Sequence, residues 1–230
     1  MANPLKELFG NIASEIKKKT GDSVSVKYKP VEFPAKIRSI SQGIDTVEID
    51  NLLDEINGES IGDLVIAEGY CGSSARYTLK DSGVLYISGS GEITSTPWQN
   101  VENYDAVIKK VVIDNGITNL PGQAFDGCSN LTSVTLSNTI VSIGLSAFYG
   151  CAMQSITIPA SVERIYEFAF SHCDSLSIVN FVDTVGWEVR KPTGELIATL
   201  AHSDLIVSTK AAKYLTDYDN YYSRYRWIKG

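Results

Sequence analysis

The sequence predicts an α+β protein: a short solenoid of strand-bearing coils with a β-hairpin cap before it and an α/β cap after it, preceded by a small helical N-terminal module. Three observations carry this. The pattern Ala-Phe-x-x-Cys occurs at 124–128, 147–151 and 169–173, so that Cys128, Cys151 and Cys173 lie 23 and 22 residues apart. Apolar pairs that alternate with period two precede each copy, as a half-buried strand requires. The first twenty residues carry one apolar stripe at helical spacing.

The repeats come first. Val111-x-Ile113, Val134-x-Leu136, Ile156-x-Ile158 and Val179-x-Phe181 read as four short strands. A second apolar pair follows each of the first three: Ile117 and Leu120, Ile140 and Ile143, Val162 and Ile165. A period of this length with one strand per unit marks a leucine-rich-repeat solenoid. No single unit buries its apolar side alone, so neighbours must stack. Phe125, Phe148 and Phe170 should then form an internal stack and the cysteines a parallel column. Equivalent Cα atoms in stacked coils lie roughly 5 Å apart, a distance that permits a disulfide. Three stacked thiols cannot all pair, however, and Cys71 is out of register, so buried free thiols are expected. No CxxC spacing exists and only His172 and His202 could join a metal site, so neither metal nor cofactor is expected.

The units "NLTSVTLSNTIVSIGLSAFYGC" and "SITIPASVERIYEFAFSHC" resemble the BspA-like leucine-rich repeats of bacterial surface proteins. "CGSSARYTLKDSGVLYISGSGEI" (71–93) and "PWQNVENYDAVIKKVVIDNGITNL" (97–120) resemble the capping hairpin and first repeat that open such arrays, and "GWEVRKPTGEL … AAKYLTDYDNYYSRYRWIKG" resembles the cap that closes them. The resemblance implies adhesion and protein or glycan binding, and no chemistry. Two departures stand out. The repeats are few, and Cys151 to Ile156 is one residue shorter than Cys128 to Val134, an irregularity at Ala152-Met153.

The head of the chain differs in kind. Asn3-Pro4 is a good helix start. Leu5, Leu8, Phe9, Ile12 and Ile16 make one stripe, Lys17 to Lys19 complement the dipole of the last turn, and Gly21 can stop the helix. "PVEFPAKIRSI" reads as a second short helix with Phe33, Ile37 and Ile40 on one face. So small a helical pair needs a partner to pack on. Ile12, Ala13, Ile16, Lys19, Thr20, Gly21, Pro30, Phe33, Pro34, Ile37 and Ile40 match a pattern similar to a short N-terminal module of bacteriophage structural proteins. That resemblance implies an anchor, with Leu5, Leu8, Phe9, Ile12, Ile16, Phe33 and Ile37 as its face and other virion proteins as partners.

Residues 42–70 connect the halves. Their acidic run, Asp45, Glu48, Asp50, Asp54 and Glu55, lacks the calcium-loop pattern and reads as a solvated linker. Asn57-Gly58 marks a turn. The expected organisation is a helical anchor module with its linker over 1–57, an N-terminal cap over 58–107, repeats over 108–181 and a C-terminal cap over 182–230.

Composition excludes several functions. Residues 59–181 hold five Lys/Arg against twelve Asp/Glu, which argues against nucleic acid as a partner. No apolar run is long enough to span a bilayer, so no membrane insertion is expected. The first residues lack the continuous apolar region of a secretory signal. There is no GxSxG elbow, P-loop or HExxH, and no enzyme is expected. Glu163 and Glu167 could flank a glycosidic bond in principle, but in a repeat array they read as solvated surface charges.

Binding is assigned to the strands. With Val134 and Leu136 inward, their neighbours point outward, and stacking aligns Lys110 and Val112, Ser133 and Thr135, Ser155 and Thr157, and Ile178 and Asn180 into one exposed sheet face. Such a surface suits a host-surface glycan or protein. The aromatic tail, Tyr214, Tyr218, Tyr221, Tyr222, Tyr225 and Trp227, reads first as a cover for the end of the core. Together the resemblances predict a non-enzymatic virion protein, assembled in the host cytoplasm and exposed on the particle, that attaches to the host through a tail tip, fibre or receptor-binding complex. Capsid decoration, a bacterial surface adhesin and an intracellular binding module are the alternatives. Homo-oligomerisation stays open, because no heptad enforces a trimer.

Overall fold

The computed structural model describes residues 65–217 and 222–230. The anchor face, Leu5, Leu8, Phe9, Ile12, Ile16, Phe33 and Ile37, lies outside the described residues, as do the 1–57 module and the Asn57-Gly58 turn.

The chain enters through three antiparallel strands, β1 (Val65–Tyr70), β2 (Ser74–Lys80) and β3 (Val84–Ser90). Their alternation is clean: Ala75, Tyr77, Leu79, Leu85 and Ile87 are buried while Arg76 and Tyr86 are exposed. The hairpin that the 71–93 resemblance implies is β2–β3, and β1 is a further strand on its edge. A 3-10 turn at Pro97–Asn100 and the short helix α1 (Tyr104–Val107) then carry the chain to β4 (Lys110–Ile113), which runs parallel to β3.

From β4 onward the chain coils. β6 (Ser133–Thr135), β8 (Ser155–Ile158) and β10 (Ile178–Phe181) repeat β4, while β5 (Asn119–Leu120), β7 (Ser142–Ile143) and β9 (Arg164–Ile165) form a second parallel ladder. The second apolar pairs lie against the core as expected, with Ile117, Leu120, Ile140, Ile143, Val162 and Ile165 all buried. The Ala-Phe segments hydrogen-bond from coil to coil: Phe125 N donates to Ala147 O and Phe148 N to Ala169 O, at 2.9 and 2.8 Å. Each such segment leaves by a left-handed residue. Gly127 and Gly150 supply it with φ of 73° and 68°, and His172 takes the same turn at 59°.

The phenylalanine stack exists. Phe125–Phe148 and Phe148–Phe170 ring centres lie 5.5 and 5.4 Å apart, with planes within 18° of parallel. The column is longer than the repeats, because Trp98 stacks on Phe125 at 5.7 Å and Tyr77 meets Trp98 edge-on. Trp98 Nε1–H donates to Ala124 O at 2.9 Å, so the ring is both packed and satisfied.

The far end is closed by β11 (Trp187–Arg190), β12 (Leu196–Thr199), the helices α2 (His202–Leu205) and α3 (Ser208–Thr216), and β13 (Arg226–Lys229). β13 pairs antiparallel with β9, which ends the second ladder and joins it to β11 and β12. α3 buries Ala211, Ala212 and Leu215. Phe181, Trp187 and Trp227 form one aromatic cluster with ring centres 5.3 to 6.3 Å apart. Trp227 and the Tyr214–Tyr222 pair thus cover the end of the core; Tyr218 and Tyr221 lie outside the described residues.

One expectation is corrected. The strands β4, β6, β8 and β10 do not make a single sheet: β6 completes a sheet ordered β1-β2-β3-β4-β6, and β8 pairs with β10 alone. The break falls in the coil shortened at Ala152-Met153. Ser133 follows Cys128 by five residues but Ser155 follows Cys151 by four, and the missing residue leaves β8 out of pairing with β6.

Candidate binding face

The eight strand residues singled out for binding fall on two adjoining ladders. Lys110 pairs with Ser133 and Val112 with Thr135 on the first; Ile178 pairs with Ser155 and Asn180 with Thr157 on the second. All are exposed except Val112, which is half-buried. Burial explains the direction: Val111, Ile113, Ile156, Ile158, Val179 and Phe181 alternate with them and line the core.

The first ladder extends further than the repeat pattern reveals. Its register continues into the cap as rows of side chains on one face. One row runs Glu68, Thr78, Tyr86, Val112, Thr135. Another holds Tyr70, Arg76 and Ser88. A third contains Val84, Lys110 and Ser133, and Lys80 occupies the next position of the hairpin register opposite Val84. Tyr70 and Tyr86 are 62% and 41% exposed, large rings presented to water. The Arg76 guanidinium lies 4.8 Å over the Tyr70 ring, a cation–π contact that holds it in place. The signal for these residues was the period-two alternation of 74–90, which sets Arg76, Thr78 and Tyr86 on the face opposite Tyr77, Leu79 and Leu85.

The framework behind the face is a buried interior in which thiols bridge successive coils. The Cys151 thiol donates to Phe125 O at 3.2 Å and the Cys173 thiol to Phe148 O at 2.9 Å, each reaching back one coil. All four cysteines are buried and free. Burial pushes the Cys71 thiol up to about 11 and the Cys128 and Cys173 thiols up to about 12, and raises Cys151 as well. Burial thus disfavours the thiolate, the reactive form of cysteine, at all four positions. Among the described residues there is no group of three His, Cys, Asp or Glu placed to hold a metal ion, and no helix is long and apolar enough to cross a membrane. His172 packs on Tyr149 with ring centres 4.9 Å apart, and His202 hydrogen-bonds the Thr184 hydroxyl.

The two carboxylates separate. Glu163 is exposed, as expected of a surface charge, but Glu167 is not: it is only 7% accessible and accepts from Arg226 at 3.1 and 3.2 Å. Arg226 also stacks over Tyr166 at 4.8 Å. Glu167 therefore belongs to the joint between the last coil and β13, because a carboxylate buried there needs a cation beside it.

Residues 102–188 match the family described as BspA type leucine rich repeat region, in 6 copies. Comparison with curated proteins yields no match. Among solved structures the chain is similar to a leucine-rich repeat protein from Eubacterium ventriosum, at 22% identity and a TM-score of 0.37, over 56% of this chain and 48% of that one. It is similar also to a leucine rich cell surface protein from Faecalibacterium prausnitzii, at 18% identity and a TM-score of 0.32, over 55% and 59%. A leucine-rich repeat protein from Bacteroides capillosus matches at 18% identity and a TM-score of 0.34, over 49% and 96%. The chain spans about half the length of the first two. Coil geometry and the match over residues 102–188 agree on a leucine-rich-repeat-like β-solenoid, capped at both ends.

Proposed function

We propose that this protein is a non-enzymatic recognition module that docks a polar partner, a surface glycan or a protein, on the solvent face of its strands. The observation that carries the reading is the face itself. Hydroxyl, amide and aromatic side chains stand in registered rows on strands whose other side is packed into a continuous core, so little conformational freedom has to be lost on binding. Adhesion fits the BspA-type repeat family, whose repeats serve binding.

Two carriers would expose such a module. On a bacterial surface it acts as an adhesin. On a phage particle it acts in a tail tip, fibre, receptor-binding complex or capsid decoration, held to other virion proteins through residues 1–57; the pattern from Ile12 to Ile40 is what favours this second carrier. Binding of the full chain to host cells tests the face. Thr135→Glu and Thr157→Glu are expected to abolish binding with an unchanged melting temperature, and unaltered binding of both variants would overturn the reading. Immunodetection in purified particles against the cell-envelope fraction separates the carriers.

A further inference from the structure

The composition of the central region conceals an uneven arrangement. Residues 59–181 contain five cations, Arg76, Lys80, Lys109, Lys110 and Arg164, and four of them gather at the hairpin and the start of β4. Arg76, Lys80 and Lys110 lie on the registered rows of the solvent face. Lys110 is exposed, with Val84 on one side and Ser133 on the other. The stem of Lys109 lies against the Gly83 turn next to it, where a Cβ on Gly83 would meet its Cγ at 3.0 Å. Against these cations, among the described residues the same rows carry one carboxylate, Glu68, and the hairpin turn a second, Asp81. The β8–β10 half of the face, by contrast, carries Ser155, Thr157, Ile178 and Asn180 and no charge. A chain of formal charge −7 thus shows a locally positive surface at one end of its binding face.

We infer that the β2–β3–β4–β6 end of this face is a subsite for an acidic glycan, one whose sugars bear carboxylate or sulfate groups. Three features of the patch meet that chemistry together. The cations supply charge complementarity. Tyr86, between Thr78 and Val112 in its row, offers an exposed ring on which the C–H face of a sugar can lie. The hydroxyls of Thr78, Ser133 and Thr135 supply donors and acceptors within one or two strand spacings, about 5 to 10 Å. Arg76 is already positioned by its stacking on Tyr70, so its N–H edge is presented with little loss of rotamer freedom. A long polyphosphate suits the site less well. Lys80 and Lys110 are two strands apart, about 10 Å, and Arg76 lies about 13 Å along β2 from Lys80; beyond so small a patch the chain's net negative charge repels a nucleic acid.

The inference rests on the proposed recognition role and names the ligand class of its face. The test uses the full chain with immobilised heparin as the sulfated probe, polysialic acid as the carboxylated one, neutral dextran, and a single-stranded DNA oligonucleotide. Heparin or polysialic acid should be retained at low salt and released as ionic strength rises, with dextran not retained. Lys110→Glu and Arg76→Glu should each weaken the retained probe about tenfold, Tyr86→Ser should weaken it by a smaller factor, and Lys213→Glu on α3 should leave it unchanged. Retention of neither acidic glycan, retention indifferent to Lys110→Glu and Arg76→Glu, or tighter binding of the DNA oligonucleotide than of either glycan would each overturn the inference. If Thr135→Glu abolishes binding to cells while Lys110→Glu leaves it intact, the recognition face stands and the acidic-glycan subsite falls.

Discussion

The two sides of the solenoid respond differently to the same missing residue. On the strand side, the coil shortened at Ala152-Met153 leaves β6 and β8 in separate sheets. On the opposite side, β5, β7 and β9 pair without interruption, and the ring column runs from Tyr77 to Phe170 with near-constant spacing. The physical lesson is one of relative cost. Misplacing a phenylalanine in a close-packed interior forfeits several kcal/mol, whereas a few solvated backbone hydrogen bonds contribute about 1 kcal/mol each. When one residue is lost, the core keeps its register and the ladder yields.

That contrast can be broken at its strong side first. Phe148→Ala removes the middle of the column, where the ring is wholly buried between two others. It should cost about 3–5 kcal/mol and lower the melting temperature by roughly 10 °C, read by denaturant and thermal unfolding. Gly144→Ala comes next. A Cβ there would meet Gly122 N at 2.4 Å and the Pro121 carbonyl carbon at 2.5 Å, all backbone, so coils that now touch must part. The expected loss is about 1–3 kcal/mol, with slower hydrogen exchange lost at the β5–β7 amides.

The weak side is sharpened by repair. Inserting one residue between Cys151 and Gln154 restores the spacing of the preceding coil and should let β6 pair with β8. A gain of about 1 kcal/mol and new protection of the Ser155 and Thr157 amides are expected; a loss of stability would mean that the break is needed elsewhere in the coil. The smallest effect lies at the closing end, where the Lys229 ammonium bonded to Asp183 holds its carboxyl below the usual range. A carboxyl whose pKa is lower folded than unfolded adds stability above its unfolded value of about 3.9, and that contribution disappears as pH falls through the folded value. Lys229→Met should therefore lower stability slightly at neutral pH, with the difference from the parent protein shrinking as pH falls below about 4, as followed by acid unfolding.

Much of this was legible because the same residue types recur at the same offset. The Phe and Cys positions, both apolar pairs of each coil and the irregularity at Ala152-Met153 can all be read from the repeat alone. What could not be read depends on contacts without a repeat. Trp98 heads the column although it stands 27 residues before Phe125 and has neither the Ala nor the Cys that flags the others. Glu167 is buried only because Arg226, 59 residues later, returns on β13 to meet it. The row linking Thr78, Tyr86 and Thr135 requires a register between an antiparallel hairpin and a parallel ladder, which no periodicity in either segment specifies.

The three tryptophans offer a practical use of this arrangement. Trp98 sits in the stacked rings near the first cap, Trp187 and Trp227 in the aromatic cluster of the closing cap, and each is at most 1% accessible. Intrinsic fluorescence therefore contains two separable optical channels, one for each terminus of the array. Replacing Trp98 with Phe, or Trp187 and Trp227 together, would isolate either signal and reveal from which end the solenoid begins to unravel.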